Sequence, residues 1–138
     1  MAYKAQNLRK AVGYYRQIFS QADGRSDALW LPQDPTTVED SSILPLVLQD
    51  SWNNNLAVFS SNFGYVQRGV LFSLYPDNAG LGKSLATLAQ DMLTLGENGR
   101  HGLMPLRDVQ SAVNSRTAKH LGIDTSRLKN FDKLFPDQ

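Results

Sequence analysis

Apolar positions change their spacing along the chain, and the changes divide it into elements. Leu8, Val12, Tyr15, Ile18 and Phe19 recur at intervals of three and four, with Asn7 placed to cap, which predicts an amphipathic helix of about four turns. "QADGRSD" breaks it. "ALWLP" then reads as a buried strand, with Trp30 in the core, stopped by Pro32 and the turn-forming Gln33, Asp34, Pro35 and Thr36. In "SSILPLVLQDSW" the apolar residues Ile43, Leu44, Leu46, Val47 and Leu48 are too dense for a clean stripe. They predict a second helix, in which Pro45 is tolerable only in the first turn, and "NNN" at 53–55 ends it.

The alternation then repeats. "LAVFSS" (56–61) is a strand, a short helix surrounds Tyr65 to Arg68, and "VLFSLYP" (70–76) is a strand. From about residue 78 a long helix carries Leu81, Leu85, Leu88, Met92 and Leu95 at steps of four, three, four and three, with Gly96 and Gly99 as its stop. A weak strand, "DVQSAV" (108–113), leads into "NSRTAKHLG", where Asn114 can cap and Gly122 can end a short helix. The segment 124–138, "DTSRLKNFDKLFPDQ", has no sustained period and is expected as a surface tail. Strands that are apolar on both faces and separated by helices predict an α/β chain of three layers, a mostly parallel sheet with helices on both faces. Only "MAYKA" precedes the first helix, so the sheet is expected to lack part of its first βα unit.

Composition narrows the class without naming a partner. A chain of 138 residues that is 41% hydrophobic supports one core, hence a single domain over 1–138. Its 14 basic and 13 acidic residues are spread along the length, giving a formal charge of +1; no footprint for nucleic acid or an anionic membrane stands out. The absence of cysteine excludes disulfides, thiolate metal sites and a cysteine nucleophile. No apolar run approaches the length of about 20 residues that spans a bilayer, and "MAYKAQNLRK" lacks the apolar core of a signal peptide.

One stretch, "PDNAGLGKS" (76–84), sits between a strand and a helix and ends like a phosphate-gripping loop. The spacing decides against that reading, because the first glycine of such a loop falls on Asp77, whose carboxylate repels phosphate. In an open parallel sheet the ligand crevice lies beyond the carboxyl ends of the strands. The three loops there carry Gln33, Asp34, Thr36 and Thr37; Ser60, Ser61 and Asn62; and Tyr75, Asp77 and Asn78. This set suits a small polar zwitterion better than a phosphate, and Asp34, Thr36, Ser61, Asn62, Tyr75 and Asp77 are the candidate ligand-binding residues. The same residue types also serve as turn and helix caps, and the two roles can coexist. His101 and His120 lie near no nucleophile and have no ligand spacing, so the sequence offers no catalytic residue, no metal site and no cofactor.

Three blocks in order carry a resemblance. "DALWLPQDPTTV", then "LAVFSSNFGYVQRGVLFSLYPDNAGLGKSLATLAQDML", then "VNSRTAKHLGI" resemble the C-terminal half of ABC-transporter substrate-binding proteins of the tryptophan-binding-lipoprotein-like group, which have the type I periplasmic-binding-protein fold. The matching positions are Asp27, Ala28, Pro32 and Asp34; Val58, Phe59, Val66, Gly69, Leu71, Asp77, Leu81 and Gly82; and Asn114, Thr117, Ala118, Lys119, Leu121 and Gly122. The departures are Pro35, Asn78 and Phe63-Gly64-Tyr65, so ligand identity does not transfer. The resemblance implies one Rossmann-like lobe, the C-terminal one, of a two-lobe clamp that closes on an amino acid or other small solute and delivers it to an ABC permease. It further implies a periplasmic or membrane-anchored location, with the export signal or anchor in the other half. An exposed cleft face and sheet edge would favour a homodimer of the isolated lobe. Pro35 at a matched position motivates an alternative, a ligand-sensing or partner-binding module that has kept the fold and lost transport.

Overall fold

The computed structural model describes residues 4–96 and 102–136. Helix α1 (Leu8–Gln21) starts where Asn7, in extended backbone, accepts the Lys10 N–H on its side-chain oxygen at 3.0 Å, and it buries Ala11, Tyr15 and Phe19. Helix α2 (Ile43–Asn53) carries Pro45 in its first turn, where the absent N–H breaks no intrahelical bond. Its start is held from one turn upstream, where the Glu39 carboxylate accepts the N–H and hydroxyl of both Ser41 and Ser42 at 2.6–2.9 Å. Helix α3 (Phe63–Arg68) is capped by Asn62 and stopped by Gly69 at φ +127°, a conformation that other residues adopt only with strain. Helices α4 (Asn78–Leu95) and α5 (Ser115–His120) are capped by Asp77 and Asn114.

The strands β1 (Ala28–Leu31), β2 (Ala57–Ser60), β3 (Phe72–Pro76), β4 (Val109–Asn114) and β5 (Lys133–Phe135) form one sheet in sequence order. β1–β2, β2–β3 and β4–β5 are parallel, while β3–β4 is antiparallel. The α/β class and mostly parallel sheet expected from the sequence are therefore what the chain adopts. Two buried clusters flank the sheet. One joins Tyr15 and Phe19 of α1 to Leu31, Val58, Ile43, Leu44, Val47 and Val70; the other joins Leu71 and Val113 to Ala118 and Leu128. Val70 and Leu71, consecutive on the approach to β3, belong to different clusters, as the alternation of an extended chain requires.

Asn114 links the elements on one side of β4. Its amide donates to the Val66 carbonyl at 2.8 Å, while its oxygen accepts the Arg116 and Thr117 N–H groups. The Thr117 hydroxyl donates to the Gly69 carbonyl at 2.9 Å, a second tie between the start of α5 and the end of α3.

Two sequence expectations differ from the fold, and two further features of it were not readable from the sequence. Trp30 is 57% exposed rather than core: its cross-sheet row is Trp30–Phe59–Phe72–Val113–Leu134, and the second cluster covers that row at the Phe72 to Leu134 end but not at β1. The segment after Asp124 is not a plain surface tail. It forms a 3-10 helix (Thr125–Asn130) that buries Leu128, and then β5, whose three residues are too few to show a period. β4 runs against β3, a reversal that no local spacing encodes. Finally, α4 buries no residue, so its four-three stripe is a face without a core partner among the described residues. Gly99 and His101 lie outside the described residues.

Candidate functional site

The carboxyl ends of β1, β2 and β3 lie along one edge of the sheet, and specific contacts join their loops in series. After β1, Asp34 folds its turn around its own carboxylate: Oδ1 accepts the Thr36 N–H at 2.9 Å and Oδ2 the Thr37 hydroxyl at 2.9 Å. The Thr36 N–H first, and the Thr37 hydroxyl second, hold the Asp34 carboxyl below its ordinary value, so it is an anion at neutral pH. Thr37 also hydrogen-bonds Tyr15, whose phenol burial pushes up to about 12 despite that bond. Gln33 Nε2 reaches the Ser61 carbonyl at 3.4 Å, joining the first loop to the second.

The second loop is pinned at its root. The Ser60 hydroxyl donates to the Leu31 carbonyl at 2.9 Å and accepts the Asn62 N–H at 3.2 Å, and Asn62 Oδ1 accepts the Gly64 N–H at 2.9 Å. Phe63, the first residue of α3, lies 5.2 Å between ring centroids from Tyr75 at the end of β3, joining the second loop to the third. There the Tyr75 hydroxyl donates to Gln110 Oε1 at 3.0 Å, and the Asp77 N–H donates to the Asp108 carbonyl at 2.8 Å. Asp77 Oδ1 accepts the Ala79 N–H at 3.2 Å. Gly80 leaves room for it, since a Cβ there would stand 2.7 Å from Asp77 Oδ2 and make that carboxylate shift.

Of the six candidates, Asp34, Thr36, Ser61, Asn62 and Asp77 follow strand ends and Tyr75 lies in β3, and the Gln33–Ser61 and Phe63–Tyr75 contacts link the three segments into a rim. Asp34, Asn62 and Asp77 also act as turn or helix caps, the second role that their residue types allowed, and each cap uses only part of the carboxylate or amide's capacity. The helix-capping carboxylate at Asp77 occupies the position at which a phosphate loop would present N–H groups, in keeping with the rejection of that motif. His120 is engaged elsewhere: its ring stacks on Trp52 at 3.6 Å, and Nε2–H donates to the Trp52 carbonyl at 3.0 Å. Among the described residues no cluster of histidine and carboxylate side chains could hold a metal ion.

Sequence reasoning missed two rim residues, Phe63 and Lys133. Lys133 arrives on β5, and its Nζ stands 5.1 Å from the Phe63 ring centroid and 5.8 Å from that of Tyr75. The alternation of Phe131, Lys133 and Phe135 with Asp132 and Leu134 was the one available signal, too short to separate from coil.

A recess lies elsewhere, a groove of about 580 Å³ between α1 and β1 lined by Tyr14, Tyr15, Ile18, Leu29 and Trp30 among others. The groove is mainly apolar and flanks β1, a strand paired on one side only among the described residues.

No family model and no curated protein matches this chain. Solved structures do match in fold. An ABC domain from Streptococcus pneumoniae in complex with L-Trp superposes with a TM-score of 0.63 at 20% identity, over 98% of this chain and 44% of that one. A conserved domain protein from Vibrio cholerae O1 biovar El Tor gives 0.60 at 21% identity, over 96% and 43%. The ligand-free, open structure of a substrate-binding protein with adhesive properties from Clostridium difficile gives 0.63 at 21% identity, over 89% and 40%. The chain therefore has a fold that these proteins contain, and it spans less than half the length of each of these structures.

Proposed function

We propose that this chain is a solute-binding lobe, the C-terminal half of a two-lobe clamp, whose rim from Gln33 through Asp34, Thr36, Ser61, Asn62, Tyr75 and Asp77 meets one side of a small zwitterion such as an amino acid. The observation that carries the reading is the serial joining of the three loops, Gln33 to Ser61 and Phe63 to Tyr75, into one polar edge at the strand ends of a fold shared with substrate-binding proteins. Two further features support the half-clamp. The α4 stripe is uncovered among the described residues, with Leu85 55% and Met92 48% exposed, and the chain leaves the sheet after Pro76 and re-enters it at Val109, directly opposite.

In the same reading the whole protein works outside the cytoplasm, periplasmic or membrane-anchored, and hands its solute to an ABC permease. In the isolated chain, the α4 stripe and the open side of β1 drive a homodimer. No helix among the described residues is long and apolar enough to cross a membrane. The test is a chemical-shift map of the isotope-labelled chain titrated with each L-amino acid at millimolar concentration. The expected result is a set of shifts confined to residues 33–37, 60–64, 75–79 and their β5 neighbours. Shifts confined to the α1–β1 groove, or none with any amino acid, would overturn the reading.

A further inference from the structure

The charged side chains of the predicted rim, Asp34 and Asp77, are both negative, which is half of what a zwitterion requires. The geometry points to Lys133 as the other half: the corner formed by Lys133, Phe63 and Tyr75 is a carboxylate-recognition subsite, taking the anionic group of an organic solute against the lysine ammonium with its carbon skeleton on the two rings. This inference rests on the solute-binding reading above and deepens it.

Three observations carry it. β4 is antiparallel to β3 and β5 is parallel to β4, so β5 enters the sheet from the end at which β3 finishes; its first residue, Lys133, lies in the row Ser73–Ala112–Lys133, below Pro76, and its side chain reaches toward Tyr75. Its place is fixed, because the adjacent Asp132 carboxylate accepts both the N–H and the hydroxyl of Ser111 at 2.7 and 2.8 Å, fastening the entry of β5 to β4. The cross-strand neighbour of Lys133 is Ala112, a small residue between it and β3, and the ammonium lies within cation–π range of both rings. Among the described residues no carboxylate lies within ion-pairing distance of that ammonium: Asp132, the nearest in sequence, is committed to Ser111, and the one described ion pair joins Arg68 to Asp40. Ring faces hold an ammonium in position without neutralising it, leaving its charge for a ligand anion.

The test uses the labelled chain, wild type and Lys133→Gln, titrated with 3-phenylpropionate and with phenethylamine, two probes that share a ring and differ in the sign of their charge. The expected result is that 3-phenylpropionate shifts the signals of Phe63, Tyr75 and Lys133, that Lys133→Gln weakens this binding about fivefold to tenfold, and that phenethylamine leaves the Lys133 signals in place. Lys133→Arg, which keeps the charge, should retain most of the affinity and exclude a merely structural loss. Equal binding of 3-phenylpropionate by wild type and Lys133→Gln would overturn the subsite. If amino acids still shifted the rim in both proteins, the solute-binding reading would survive that result. No shift at Lys133 with 3-phenylpropionate would also overturn the subsite, and silence of the whole rim toward every amino acid would take the solute-binding reading with it.

Discussion

Replacing Asn114 by alanine tests how the scaffold under the rim is held. Asn114 is 4% exposed and serves two purposes at once, capping α5 through its oxygen and binding the Val66 carbonyl through its amide. Loss of the cap costs about 1 kcal/mol. Loss of the buried amide–carbonyl bond adds about 1 kcal/mol, because the Val66 carbonyl keeps its bond from the Gly69 N–H and is not left bare. With the void left by the amide, Asn114→Ala should destabilise the chain by about 2–3 kcal/mol, or about 10 °C in melting temperature for a chain of this size. Asn114→Asp keeps the capping oxygen but has no donor for Val66, and should lose about 1–2 kcal/mol. Urea unfolding followed by the fluorescence of Trp30 and Trp52 gives both values, provided the denaturant slope is unchanged. An Asn114→Ala protein within about 0.5 kcal/mol of wild type, or an Asn114→Asp protein as stable as wild type, would refute the argument that this side chain ties α5 to α3.

Three further outcomes are expected. The Ser73 hydroxyl is fully buried with no hydrogen-bond partner in the structure, so Ser73→Ala should leave stability unchanged or raise it by up to about 1 kcal/mol; a clear loss on urea unfolding would mean that the hydroxyl is satisfied after all. The hydroxyls of Ser41 and Ser42, then the Ser41 N–H, hold the Glu39 carboxyl down to about 2 from its ordinary 4.5. Because the folded state favours the ionised form, this stabilisation is fully present above about 4.5 and is lost as pH falls through about 2. Glu39→Gln should flatten the stability–pH curve in that window, and an unchanged curve counts against the assignment. On α4, the double substitution Leu85→Glu with Met92→Glu should leave the melting temperature within about 2 °C of wild type, since neither side chain is in the core, while abolishing self-association in sedimentation velocity. A large drop in melting temperature would show that α4 is part of the core.

What the sequence made legible was what short-range chemistry decides. Asn7, Asn62, Asp77 and Asn114 each stand at the start of a helix with a side-chain oxygen on a first-turn N–H, and Pro45 stands in the one part of α2 that accepts it. The candidate residues could be named for the same reason, since Asp34, Thr36, Ser61, Asn62 and Asp77 follow apolar runs. What could not be read locally depends on which surfaces meet. Trp30 has the surroundings of a core residue in sequence, but only the far end of its cross-sheet row is covered. The α4 stripe is as regular as that of a buried helix and buries nothing. Lys133 reached the rim through a strand of three residues and a reversal at β4, neither of which leaves a period to detect.

The central claim is that the rim is one wall of a clamp, meeting a solute from one side only. Titration calorimetry of the 138-residue chain with the L-amino acids tests it most directly. A single wall leaves much of the ligand in water, so dissociation constants in the millimolar range are expected, about −4 kcal/mol. Saturable binding at micromolar concentration, about −8 kcal/mol, would show a self-sufficient pocket and contradict the half-clamp.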